Sequence, residues 1–214
     1  MKLPAAPILL AAAALLLGGL ATPATAWAVP PEDTTRIALQ AGWRLQPNAR
    51  FGEWAAKNGY PLSGTSPGGP ALLAVFGYRP MSELEVSLEI GWAWERFQFV
   101  DAKPMQLNQL PITAAVRWAP LGGSTIYPYL GAGYGYLLNF LTDAPGGSVE
   151  SHSSTPLLMA GAVFDITDRV SIVAEYRFAF SRIAIANLGF MQAGGNTFFV
   201  GAHLAFPPED RRLK

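Results

Sequence analysis

The sequence predicts an all-β chain, an eight-stranded antiparallel up-and-down transmembrane β-barrel. Three observations lead there. Apolar and polar residues alternate with period two over stretches long enough to cross a bilayer, which takes about 9–11 tilted residues. Charged residues make up only 14% of the 214 residues, against about 25% in a typical soluble domain, yet beyond residue 22 no apolar run reaches the roughly 18 residues of a membrane helix. The connections between strands also alternate between long and short, as a barrel with tight turns at one rim and loops at the other requires.

The clearest strand spans residues 82–99, SELEVSLEIGWAWERFQF. Leu84, Val86, Leu88, Ile90, Trp92 and Trp94 share one side, and Glu85, Ser87, Glu89, Gly91, Ala93 and Glu95 share the other. Before it, a first strand over 35–46 sets Ile37, Leu39, Ala41 and Trp43 against Arg36, Ala38, Gln40 and Arg44. Residues 47–70 are rich in Gly, Pro, Asn and Ser, which is loop chemistry, with ARFGEWAAK as a possible helical turn. The second strand, 71–79, has the weakest alternation, and Pro80-Met81-Ser82 turns it into the third.

Residues 100–106 connect to a fourth strand over 107–119, and Leu121-Gly122-Gly123 is a turn. The fifth strand, 125–140, places Pro128, Leu130, Tyr134 and Tyr136 opposite Tyr127, Tyr129, Gly131, Gly133 and Gly135. After a loop over 141–154 come a sixth strand (155–166), a turn at Thr167-Asp168-Arg169, and a seventh strand (170–181). A mixed loop over 182–195 precedes the eighth strand, 196–206, which Pro207-Pro208 stops.

Size assigns the faces. An eight-stranded barrel has an interior that side chains just fill, and the apolar faces carry too many aromatics to fit inside. They are therefore expected to meet lipid. Trp43, Trp92, Trp94, Tyr134 and Tyr136 then form an aromatic girdle toward the loop end, and Tyr78, Trp118 and Phe206 one at the turn end. The opposite faces line the lumen with Arg36, Arg44, Arg79, Arg117 and Arg177, with Glu85, Glu89, Glu95, Asp165 and Glu175, and with His203. Five charges of each sign balance, and unpaired buried charge costs several kcal/mol, so pairing or hydration is expected. A salt-bridged plug and a narrow polar pore both fit this lining.

The first residues address the compartment. A positive start, Met1-Lys2, leads to an Ala- and Leu-rich run over 8–20 and then to small-x-small patterns at Ala24-Thr25-Ala26 and Ala26-Trp27-Ala28. This is the pattern of a cleaved secretory signal peptide, cut between Ala26 and Ala28. The sequence contains no cysteine, which excludes disulfides and thiolate metal sites. A net charge of zero without a basic run speaks against nucleic acid.

Three segments, LPITAAVRW (110–118), PYLGAGYGY (128–136) and ITDRVSIVAEYRF (166–178), together with the terminal GAHLAF (201–206), resemble the small eight-stranded outer-membrane β-barrel proteins of Gram-negative bacteria, the OmpA/OmpX/OmpW-like group. The resemblance covers about residues 35–206. It implies a signal peptide over 1–28, a periplasmic lead over 29–34, the outer-membrane barrel over 35–206 and a periplasmic tail over 207–214. It also implies a monomer among outer-membrane lipid and lipopolysaccharide, with a last strand recognised by the barrel-assembly machinery.

Such an architecture hosts several functions. The expected role is structural or interactive, or that of a narrow passive porin-like channel. One alternative is a lipid A-modifying, deacylase-like enzyme. The stretch 176–190 is faintly similar to that pattern through Ser181 and Asn187, but Ala179 and Phe180 stand where its histidine belongs, which removes the general base. A soluble periplasmic lipocalin-like binding barrel is the other. His152 is expected in a solvated loop, and Arg50, Phe51, Trp54, Lys57 and Tyr60 offer an exposed aromatic and basic contact surface. No catalytic residue, cofactor or metal site is expected.

Overall fold

The computed structural model describes residues 32–45, 49–64, 68–121, 124–143, 148–167, 169–185 and 189–206. The leader read at 1–28, the first half of the lead at 29–34 and the tail at 207–214 lie outside the described residues.

Eight strands close into one barrel. They are β1 (Thr34–Leu45), β2 (Gly69–Met81), β3 (Leu84–Phe97), β4 (Met105–Trp118), β5 (Ile126–Thr142), β6 (Val149–Asp165), β7 (Val170–Ala179) and β10 (Gly195–Phe206). Each pairs antiparallel with its neighbours around the ring, and β1 closes it against β10 with Thr35 opposite Phe206 and Leu45 opposite Asn196. Two further strands, β8 (Arg182–Ile185) and β9 (Gly189–Gln192), form a separate hairpin between β7 and β10. The pleat sends successive side chains to opposite faces, and the apolar set points out. Leu39 is 70% exposed and Leu88 61%, while their neighbours Ala38 and Glu89 are buried. A continuous apolar belt of this kind is incompatible with water, and it rules out the lipocalin-like arrangement with an apolar interior and polar exterior.

Three connections differ from the sequence reading. In the first long loop ARFGEWAAK, expected as a helical turn, extends to a full helix, α1 (Ala49–Lys57). Its C-terminus is closed by a Schellman pair, in which Tyr60 N–H donates to the Ala55 carbonyl (2.9 Å) and Gly59 N–H to that of Ala56 (3.2 Å). Gly59 takes the positive φ, 85°, which that motif needs. The second difference is that β5 and β6 run beyond their expected ends, to Thr142 and from Val149, and pair along the whole extension. His152 therefore lies on a strand, opposite Leu138 and exposed, rather than in a loop. The third is that the segment read as a mixed loop over 182–195 holds the β8–β9 hairpin.

Candidate functional site

The interior is the first place to look for function, because strand parity gathers the ionisable residues there. Arg36, Arg44, Arg79, Glu85, Glu89, Glu95, Arg117, Asp165, Glu175, Arg177 and His203 are all buried inside the barrel. The fold joins six of them into one network. Arg117 of β4 reaches Glu85 (3.3 Å), Glu89 (2.5 Å) and Glu175 (3.1 Å), so it bridges β3 and β7 across the lumen. Arg177 binds Glu89 at 2.6 Å and also pairs with Glu175, and Arg36 meets Glu85 at 3.5 Å. Three guanidinium groups thus balance three carboxylates. Ser87 and Thr113 donate to Glu89 at 3.0 and 3.1 Å, and the Tyr129 hydroxyl donates to Glu175 at 2.5 Å.

Small residues make room for this. A Cβ on Gly161 would fall 2.5 Å from the Tyr129 hydroxyl, so glycine there is what lets that ring lie across the lumen. Below the network, Arg79 stacks over Tyr127 at 4.9 Å, and Asp165 accepts from Ser171 at 2.6 Å. His203 faces a cavity of about 20 Å³ shared with Arg36, Glu85 and Tyr127, room for about one water.

Toward the loop end the interior changes character. Arg44 donates to the carbonyls of Ala193 and Gly194, the latter at 3.0 Å, and lies in the field of Glu95. Gln109 bonds Asn139 at 2.6 Å and the Ala193 carbonyl at 3.1 Å. Above this layer Phe97, Phe99, Met105, Leu107, Leu137 and Leu141 form an apolar cluster, closed from above by Phe51 and Ala55 of α1 and by Ile183 and Met191 of the hairpin. The Phe51 and Phe97 rings meet edge to face at 5.7 Å. The chain after α1 is strapped to the β3–β4 connection, with Val100 N–H donating to the Pro61 carbonyl and Ser63 N–H to that of Gln98, both at 2.9 Å.

The expectation of a lumen lined by charge, as plug or as pore, is therefore corrected at its loop end, where the interior is carbon. Phe51 is corrected too, for it is 2% exposed and plugs the mouth instead of offering a contact. A sequence signal existed: Phe97 and Phe99 share the parity of Glu95, so apolar residues occupy the inner face near the loop end. Tyr127 and Tyr129 had the right parity as well, but their partners were not visible.

On the outer face, Trp43, Tyr78, Trp92, Trp118, Tyr134, Tyr136 and Phe206 are exposed, and Trp94 is half-buried. Tyr78, Trp118 and Phe206 stand at the turn end. Trp92 and Tyr134 each stand eight residues beyond the first residue of their strands, Leu84 and Ile126. With a rise of about 3.4 Å and a tilt of about 40°, that is roughly 20 Å up, near the top of an apolar band about 25 Å tall.

Among the described residues, the catalytic alternative finds no base at Ser181. Its hydroxyl bonds that of Ser153 at 2.5 Å, and Asn187 lies outside the described residues. Among the described residues, no group of three His, Asp or Glu is arranged to hold a metal ion.

Over residues 12–206 the chain matches the family described as the outer membrane protein beta-barrel domain. No curated protein matches it. Among solved structures it is similar to the outer membrane protein OprG from Pseudomonas aeruginosa, with 13% identity, a TM-score of 0.58, and coverage of 83% of this chain and 97% of that one. It is also similar to a major outer membrane protein from Thermus thermophilus, with 14% identity, a TM-score of 0.50, and coverage of 80% and 99%. At such identities the likeness concerns the fold.

Proposed function

Since the chain belongs to the outer membrane protein β-barrel family and resides in the outer membrane, we propose that it acts there as a non-enzymatic, non-conducting monomer, an anchor that presents an outward platform for structural or interaction contacts. The observation that carries this reading is the double closure of the interior, by the arginine–glutamate network and by the apolar cap. A passive channel would require both to open. The platform consists of α1, the β5–β6 extension and the β8–β9 hairpin, facing the lipopolysaccharide layer. Assembly through recognition of GAHLAF by the insertion machinery belongs to the same proposal. Against an enzyme stands the Ser153 hydroxyl as the partner of Ser181.

The test is single-channel recording of the refolded protein in a planar bilayer, with heat-modifiable gel migration to show that the barrel has folded. A silent bilayer is expected, and steady openings would overturn the proposal in favour of transport. Ser181→Ala is expected to leave the lipid A profile of the cell unchanged. Loss of a lipid A modification would overturn the non-enzymatic reading.

A further inference from the structure

The β6–β7 ladder stops early. Its last pair is Leu157 with Ala179, after which Phe180 N–H makes one more bond, to the Pro156 carbonyl at 2.9 Å. Beyond that point β6 continues upward, paired only with β5, while the chain from β7 leans inward over the mouth as β8. The inward path is held by Ser181, whose carbonyl accepts from Ala193 N–H (3.0 Å) and Gly194 N–H (3.1 Å). A Cβ on Gly194 would sit 2.0 Å from the Ala179 carbonyl oxygen, so this close crossing depends on glycine.

The divergence leaves a cleft of about 540 Å³ lined by Ser153, Ser154, Pro156, Phe180, Ser181, Arg182 and Gln192. Its position is informative. Pro156 is paired with Tyr134 and Ser154 with Tyr136, so the cleft opens at the level of the outer aromatic girdle, where acyl chains give way to head groups. Its composition is split accordingly. Phe180 and Pro156 point outward as an apolar sill. The Ser154 hydroxyl, the mutually bonded Ser153 and Ser181 hydroxyls, the Gln192 amide and the Arg182 guanidinium supply the polar wall, with Arg182 directly opposite Gln192 in the hairpin. Among the described residues no carboxylate lines the cleft, and Arg182 has no acidic side chain within ion-pair distance. A cation with neutral donors around it suits a phosphate and its neighbouring sugar hydroxyls.

We infer that this cleft binds the phosphorylated sugar head group of an outer-leaflet glycolipid, with Arg182 on the phosphate, the serines and Gln192 on sugar and phosphate oxygens, and the acyl chains over Phe180 and Pro156. The inference rests on the outward placement of this rim and is independent of whether the lumen conducts.

The test uses the whole protein, refolded into nanodiscs that contain bis-phosphorylated lipid A, dephosphorylated lipid A or phosphatidylglycerol, with bound lipid counted by native mass spectrometry. One lipid A per barrel is expected, with at least about tenfold weaker retention for Arg182→Gln and for the dephosphorylated lipid. Arg169→Gln at the opposite rim is expected to retain lipid A like the parent protein. Equal retention by Arg182→Gln, or an equal loss with Arg169→Gln, would overturn the site. Equal retention of phosphatidylglycerol, or displacement by millimolar inorganic phosphate, would overturn the glycolipid assignment. Migration on unheated gels confirms that each variant is folded, and the planar-bilayer record separates failure here from failure of the closed-barrel reading.

Discussion

In the half of the barrel nearer the short turns, charge closes the lumen, with Arg36, Arg117 and Arg177 held against Glu85, Glu89 and Glu175. In the half nearer the long loops, carbon closes it, with Phe51, Phe97, Met105, Leu107, Leu141 and Met191 packed together. The two seals depend on their members in different ways. A buried ionic network is satisfied only as a whole, because losing one partner leaves the others charged and uncompensated. An apolar cluster loses contact area in proportion to what is removed and can partly relax around the gap. The ionic seal also belongs to the barrel wall, whereas the apolar one borrows α1 and the β8–β9 hairpin, which the closed ring does not require.

If the seals act in series, the largest effect appears only when both are breached. Glu89→Ala alone and Phe51→Asp alone are expected to leave planar bilayers silent, and the double variant to give steady openings. A single variant that conducts would show that one seal carries the closure.

The next effect is on stability. Glu89→Ala leaves Arg117 and Arg177 short of a carboxylate they share, and is expected to cost about 3–5 kcal/mol in urea unfolding from vesicles. Screening does not reach a buried network, so the loss should persist in high salt; a loss that vanished there would place Glu89 in contact with bulk water.

Met191→Ala removes a fully buried cap side chain and is expected to cost about 2 kcal/mol, at the low end for such truncations because a hairpin outside the ring can settle. Faster hydrogen exchange should be confined to α1 and the hairpin. Faster exchange throughout β3–β5 would mean that the cap and the barrel wall are one cooperative unit. The smallest effect belongs to the turn-end rim, where the exposed Tyr78 hydroxyl donates to Asp33 at 3.0 Å. Tyr78→Phe is expected to change stability by less than about 1 kcal/mol in the same urea titration, and a larger loss would give that rim a role in closure.

Much of this molecule was legible along the chain because the pleat is a local rule. Leu88 faces out and Glu89 faces in for the same reason at every point of β3, and the same parity gathers Arg36, Arg117, Glu175 and Arg177 within the wall. Which arginine meets which glutamate was not legible. Arg117 and Glu175 stand 58 positions apart, and their meeting depends on register accumulated across β5 and β6 and on the curvature that brings β4 opposite β7. The cap was half legible. ARFGEWAAK suggested a helical turn, and Phe97 and Phe99 carry inward parity, a signal that the charged lining obscures. Phe51 nevertheless looked like an exposed aromatic, because nothing local shows that a loop folds back over the mouth.

The sequence by itself determined that the chain forms eight membrane-length strands, which of their sides meets lipid, and which charges must share the interior, since alternation, loop length and side-chain volume are properties of short stretches. Only the tertiary structure decided that those charges close on one another, that α1 and the β8–β9 hairpin stopper the outer mouth, and that β6 and β7 part to leave the Ser153–Arg182 cleft. Each of these depends on where distant strands sit around a closed ring, a geometry that exists only once β1 has met β10.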